Sequence, residues 1–157
     1  MNYFDNAGDH RLKEIRNHSK GAAFSSQFDY TYEAEGEIQT LARTFTNQDP
    51  ATTTFTHDAA DQLKSAVATT TNAYNYDVAG NRTQETIAGA QTTFVYNNSV
   101  NELSSRSGAQ GSATFTYDLN GSLTADGTRT FEWDGANRLV VINIGIHRSE
   151  FSYDGIR

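Results

Sequence analysis

Pairs of aromatic residues two positions apart recur along this chain. Each pair is followed by an acidic residue or Asn, a polar stretch and an aliphatic residue. The cleanest copy reads Phe115-Thr116-Tyr117-Asp118-Leu119-Asn120-Gly121-Ser122-Leu123. A spacing of two puts both rings on one face of a strand. Gly, Asn and Asp tolerate positive φ, so the polar stretch reads as a turn. Each copy is therefore strand, turn, strand, and its recurrence predicts a repeat architecture.

Eight anchors carry the pattern: Asp5, Glu33, Asp58, Asp77, Asn97, Asp118, Asp134 and Asp154, separated by 16 to 28 residues. One position earlier stand Phe4, Tyr32, His57, Tyr76, Tyr96, Tyr117, Trp133 and Tyr153. Three positions after the anchor come Gly8, Gly36, Asp61, Gly80, Val100, Gly121 and Asn137. Val100 is the exception, with Asn101 behind it and Leu103 displaced by one, so the fifth copy carries a one-residue insertion. Asn120-Gly121 and Asp126-Gly127 are hairpin signals. They predict strands at Ala113–Asp118, Ser122–Ala125, Thr128–Trp133 and Arg138–Ile142, an antiparallel meander, with Gly- and Ser-bearing links such as Ser105–Ser112. Arg11–Phe24 is the least regular stretch, and the spacing of Leu12 and Ile15 suggests a short helical turn there.

The expected fold class is all-β: antiparallel β-hairpin repeats forming a curved sheet or a partial β-spiral shell. Residues 1–157 read as one array without an internal boundary, beginning and ending within a repeat. Such an array has open sheet edges. The expected partner is therefore the remainder of a larger chain of the same repeats, or a second copy.

Charge and composition narrow the function. The net charge is −7, which would repel a phosphate backbone and argues against nucleic acid. There is no Cys, so thiolate and disulfide chemistry are absent. No apolar run approaches a membrane span, and the residues after Met1 lack the basic and apolar segments of a signal peptide. His10, His18, His57 and His147 have no zinc-ligand spacing, and His57 replaces an aromatic ring. No calcium-loop, phosphate-loop or dinucleotide motif is present, so no metal or cofactor is expected.

Two candidate chemistries remain. An aromatic ladder suits sugar rings, which makes Trp133, Tyr117, Phe131 and Tyr76 candidate carbohydrate contacts. The competing explanation is that the rings pack the sheet. Two carboxylates about 5–10 Å apart would serve a glycosidase. Asp77, Asp118, Glu132 and Asp134 are the candidates, against the explanation that the anchors cap turns.

Tyr76-Asp77-Val78-Ala79-Gly80-Asn81-Arg82-Thr83, the stretch Tyr117–Phe131 and Trp133-Asp134-Gly135-Ala136-Asn137-Arg138-Leu139 resemble the YD-repeat, or Rhs-repeat, family. The resemblance is specific over Ala73–Ile142 and traceable elsewhere. It implies β-hairpins spiralling into a hollow shell. Such shells look like toxin containers in bacteria and serve adhesion in animals, and carbohydrate binding is also proposed for the family. Eight repeats cannot close a shell of the family's size. The family's toxin-releasing segment carries Asp-Pro-x-Gly, whereas here Asp49-Pro50 is followed by Ala51, so its autoproteolytic aspartates and toxin domain are not carried over.

The leading expectation is a structural segment of a secreted or surface-displayed bacterial YD-repeat protein, forming shell wall or adhesion surface. The export signal would then lie in the parent protein. The alternative is a carbohydrate-active module that binds glycans or, if it is an enzyme at all, hydrolyses them.

Overall fold

The computed structural model describes residues 1–5, 10–21, 25–97 and 99–155. The turn expected at Gly8 lies outside them, as do Phe24, Ile156 and Arg157. Every regular element among the described residues is a strand. The chain divides into two compact units, Met1–Asn75 with Thr86–Gly89, and Tyr76–Glu85 with Ala90–Arg157.

In the first unit the strands are β1 (Asn2–Tyr3), β2 (Leu12–Asn17), β3 (Ser26–Tyr32), β4 (Ile38–Phe45), β5 (Ala51–His57), β6 (Leu63–Val67) and β7 (Thr71–Tyr76). They are hydrogen-bonded in chain order. In the second unit β8 (Arg82–Ile87, of which Thr86 and Ile87 fall in the first unit), β9 (Ala90–Asn97), β10 (Glu102–Gly108) and β11 (Ala113–Thr114) also follow chain order. A further sheet there holds β12 (Thr116–Tyr117), β13 (Leu123–Ala125), β14 (Arg129–Trp133), β15 (Leu139–Ile144) and β16 (His147–Glu150). The sheets are antiparallel hairpins and close into no barrel, as the repeat pattern predicts.

The anchor turns at Glu33, Asp58, Asp77, Asp118 and Asp134 are three-residue hairpin loops. Asp118 N–H donates to the Ser122 carbonyl at 3.0 Å, and Gly121 N–H donates back to the Asp118 carbonyl at 3.1 Å. The last loop residue takes positive φ, which Gly, Asn or Asp adopts at low cost. It is Gly36 at 117°, Asp61 at 59°, Gly80 at 85°, Gly121 at 80° and Asn137 at 60°. In the fifth copy the left-handed residue is Asn101 at 57°, with its N–H on the Asn97 carbonyl at 2.7 Å. The inserted residue is therefore absorbed before Asn101, as the displaced Leu103 suggests.

A bulge follows the turns at Glu33, Asp58, Asn97, Asp118 and Asp134. Tyr117 faces Leu123 while Thr116 faces Ala125, so Thr124 is skipped. Gln39, Lys64, Ser104 and Val140 are skipped in the same way. An extra residue bends the strand and raises its twist. It also changes the face periodicity of the return strand from two to three. This corrects the helical turn expected at Leu12 and Ile15: both lie in β2, where a register shift skips Lys13 and brings them to one face.

Two further expectations are corrected. The link Ser105–Ser112 is half strand, because Ser105–Gly108 belongs to β10. The strand expected at Ala113–Asp118 breaks at Phe115, since β11 pairs with β10 whereas β12 pairs with β13. Between repeats the chain reverses again in short turns, such as Asp126-Gly127 and Ala88-Gly89, the latter with φ of 50° and 85°. The apolar core is thin. Phe94 and Val141 are the buried hydrophobic residues among those described, and most rings of the ladder are half-buried.

Candidate functional site

The anchor carboxylates sit in the hairpin loops and accept their amides. Asp118 Oδ1 takes the N–H of Asn120 and of Ser122, both at 2.9 Å. Asp77 Oδ1 takes Ala79 and Asn81, also at 2.9 Å, and Asp134 Oδ1 takes Ala136 at 2.9 Å and Arg138 at 3.0 Å. The outer oxygen of Asp77 accepts from the Asn81 side chain at 3.0 Å, and that of Asp134 from Arg138 Nε at 2.8 Å. These donors favour the ionised form. The Asn81 side chain and amide hold Asp77 below the usual carboxylate range, with help from Ala79 and Gly80 and against a smaller effect of burial. The Arg138 side chain and amide do the same for Asp134.

The aromatic residue before five of the anchors reaches back to the preceding repeat. Tyr32 Oη donates to the Leu12 carbonyl at 2.8 Å, Tyr96 to Arg82 at 3.3 Å, Tyr117 to Leu103 at 3.1 Å and Tyr153 to Leu139 at 2.6 Å. Trp133 Nε1 donates to Leu123 at 2.8 Å. The acceptor is the first residue of the previous hairpin's return strand, or the second at Leu103. The turns are joined as well: Asn81 Nδ2 donates to Asn101 Oδ1 at 2.5 Å, and Ser122 Oγ contacts Asn137 Oδ1 at 3.0 Å. Arg82 lies over the Phe94 ring at 4.9 Å and Arg138 over the Tyr153 ring at 4.8 Å.

The four candidate acids occupy these structural roles. Asp77, Asp118 and Asp134 each cap their own turn, and exposed Glu132 pairs with Arg148 at 2.9 Å. A glycosidase needs one carboxyl with a raised pKa as proton donor; Asp77 and Asp134 are shifted the other way. Of the candidate sugar contacts, Trp133 and Tyr117 use their polar atoms on backbone carbonyls, and Phe131 carries Arg129 over its ring at 5.4 Å. Tyr76 is half-buried at the end of β7.

One acidic group was missed in the sequence. Glu33, Glu35 and Glu37 bring carboxylate oxygens within 4.8 Å of one another, and His57 Nδ1 lies 3.6 Å from Glu33 Oε1. The signal was available: Glu replaces the anchor Asp at Glu33, and His replaces the ring at His57.

Hairpins closed by capped turns, with recurring aromatic donors that tie one to the hairpin before it, define a β-hairpin repeat protein of the YD type. The sequence model described as Teneurin YD-shell matches residues 4–157, and the chain belongs to that YD-repeat family. Comparison with curated proteins gives no match. Among solved structures it is similar to a mutant TccC3 form of the Photorhabdus luminescens Tc holotoxin pore, at 14% identity and a TM-score of 0.59, covering 87% of this chain and 9% of that one. It is also similar to the TcdB2-TccC3-Cdc42 structure, at 11% identity and a TM-score of 0.59, covering 90% of this chain and 10% of that one. The chain thus spans about a tenth of the solved chains whose fold it shares.

Proposed function

We propose that this chain is a wall segment of a larger, secreted or surface-displayed, toxin-associated YD-repeat protein. The observation that carries this reading is the recurring tie from each aromatic donor to the carbonyl of the previous hairpin. It joins neighbours only, so it extends a sheet indefinitely without creating a singular site. The carboxylates that recur most often are engaged in the same scaffold. Likeness to Tc toxin components supports a toxin-associated parent, in which the sheet edges continue into further repeats.

The test is to express the segment with its flanking coding sequence and image the product by electron cryo-microscopy. The hairpins of residues 1–157 should run on into a continuous spiral wall. A free-standing module beside any such wall would overturn the reading. The alternative, glycan binding through Trp133, Tyr117, Phe131 and Tyr76 or hydrolysis by Asp77, Asp118, Glu132 and Asp134, is tested by a glycan array and an oligosaccharide hydrolysis screen. We expect neither binding on that ladder nor turnover, because those groups are committed to the scaffold.

A further inference from the structure

Tyr32 and Tyr153 each carry an arginine over the ring. The Arg11 guanidinium lies 5.2 Å from the Tyr32 centroid, and that of Arg138 lies 4.8 Å from the Tyr153 centroid. In both places the arginine directly precedes the residue whose carbonyl accepts the tyrosine hydroxyl, Leu12 or Leu139. Tyr117 makes the same tie to Leu103 at 3.1 Å, but the residue before Leu103 is Glu102. A carboxylate thus stands where two sister repeats place a guanidinium.

Glu102 is half-buried and has no hydrogen bond or ion pair among the described residues. The links between turns do not reach it. Asn81 meets Asn101 and Ser122 meets Asn137 of the following turn. Glu102 instead faces Gly121, where a Cβ would lie 3.6 Å from Glu102 Oε1 and no side chain exists. Burial pushes the Tyr117 hydroxyl pKa up, and the charges of Glu102 and Tyr96 add to the rise. At Tyr32 the Arg11 charge opposes the same rise.

Glu102, Phe115 and Tyr117 line a cleft of about 240 Å³. It forms where the sheets part, since β11 pairs with β10 and β12 with β13. That volume is below the roughly 300 Å³ at which drug-sized pockets begin, so it suits one functional group. An aromatic face attracts a cation, and a guanidinium both stacks on rings and forks onto a carboxylate. The net charge of −7 also favours a cationic ligand.

We propose that this cleft binds an alkylguanidinium cation from outside the chain. Its fork pairs with the Glu102 carboxylate, and its plane lies on the Tyr117 ring beside Phe115. The foreign cation takes the place that Arg11 and Arg138 fill in their own repeats. The site uses the ring face of Tyr117 and leaves its hydroxyl on Leu103, so it stands independently of the scaffold reading.

Titration of the 157-residue protein with Nα-acetyl-argininamide, followed by amide NMR shifts, tests this. Saturable binding on the order of millimolar is expected, with shifts centred on Glu102, Phe115 and Tyr117. Nα-acetyl-citrullinamide has the same shape without the charge and should bind about tenfold more weakly. Glu102→Gln should weaken the arginine probe by about tenfold. Glu102→Arg puts the chain's own guanidinium on the ring and should abolish saturation. Glu35→Gln removes an exposed acid of the first unit and should leave affinity unchanged. Propylguanidinium separates two sources of the cation: equal affinity supports a free guanidine, and weaker binding supports an arginine side chain of a partner. If Glu102→Arg fails to fold, Glu102→Gln, which replaces an unpaired side chain, decides alone. Absence of saturation in the parent protein, equal affinity for the citrulline probe, or unchanged affinity in Glu102→Gln would each overturn the proposal.

Discussion

Trp133 donates its indole N–H to the Leu123 carbonyl at 2.8 Å, in the place where Tyr117 and Tyr153 donate hydroxyls to Leu103 and Leu139. The tie at Trp133 spans ten residues, where those at Tyr117 and Tyr153 span fourteen. The step between anchors is shortest there, sixteen residues from Asp118 to Asp134. The singular Trp of the sequence is thus a variant of a recurring structural donor.

Removing the donors tests whether these ties hold the repeats together. Tyr117→Phe should lower unfolding stability by about 1 kcal/mol, and Trp133→Phe by roughly 1–3 kcal/mol, because a part-buried carbonyl loses its partner and the indole also loses packing. Urea unfolding gives both values. Unchanged midpoints in both variants would remove the ties as a stabilising feature.

The anchor is expected to act through its oxygen acceptors. Asp118→Ala should cost about 1–2 kcal/mol, whereas Asp118→Asn, which keeps the accepting oxygen, should cost less than half of that. Equal losses would point to charge instead of turn capping. The same urea series on the two variants decides it.

Acid should weaken the turns in a defined direction. Asp77, Asp126 and Asp134 all have folded pKa values below the ordinary aspartate value of 3.8. Their contribution is therefore present above the unfolded pKa and is lost as pH falls through the lower folded values. Thermal melts should drop progressively below about pH 4, and Asp134→Asn should flatten part of that drop. At the other end, burial and neighbouring charge raise the pKa of Tyr32 and Tyr117 above 10.0. That support is present below the unfolded pKa and fades as pH rises through the folded values. Melting temperature at alkaline pH, compared with Tyr117→Phe, reads it out.

Two backbone changes should have opposite outcomes. A Cβ at Gly108, where φ is 132°, would lie 2.3 Å from the Gln91 carbonyl oxygen and 2.8 Å from Thr92 Cα. Gly108→Ala should therefore cost roughly 2–4 kcal/mol. Deleting exposed Val100 should leave stability within about 1 kcal/mol of the parent, since it restores the common turn length while Asn101 keeps the left-handed position. Calorimetry on both variants is sufficient; a large loss on deleting Val100 would mean the insertion is needed.

The hairpins were legible because their signals are local. The anchor, the loop residues and the left-handed Gly or Asn lie within five or six positions, and their hydrogen bonds close there. The helical expectation at Leu12 and Ile15 failed because a bulge gives a strand the three-residue face spacing of a helix. The sheet switch at Phe115 carries no sequence signal, since strand pairing depends on which neighbour lies alongside. The candidate acids and rings belong to the repeat pattern, but their engagement with amides and carbonyls became visible only in three dimensions.

The amino-acid sequence alone determined the repeating unit, its turn chemistry and the all-β class, because these follow from φ preferences and a two-residue face period. Tertiary structure decided how the units are joined. The ties from aromatic donors to carbonyls span ten to twenty residues, and bulges fix which residues meet. It also decided which charges meet: Asp126 is matched by Arg129, while Arg106 Nε has no hydrogen-bond partner among the described residues. Pairing of that kind depends on register and burial, which no local pattern encodes.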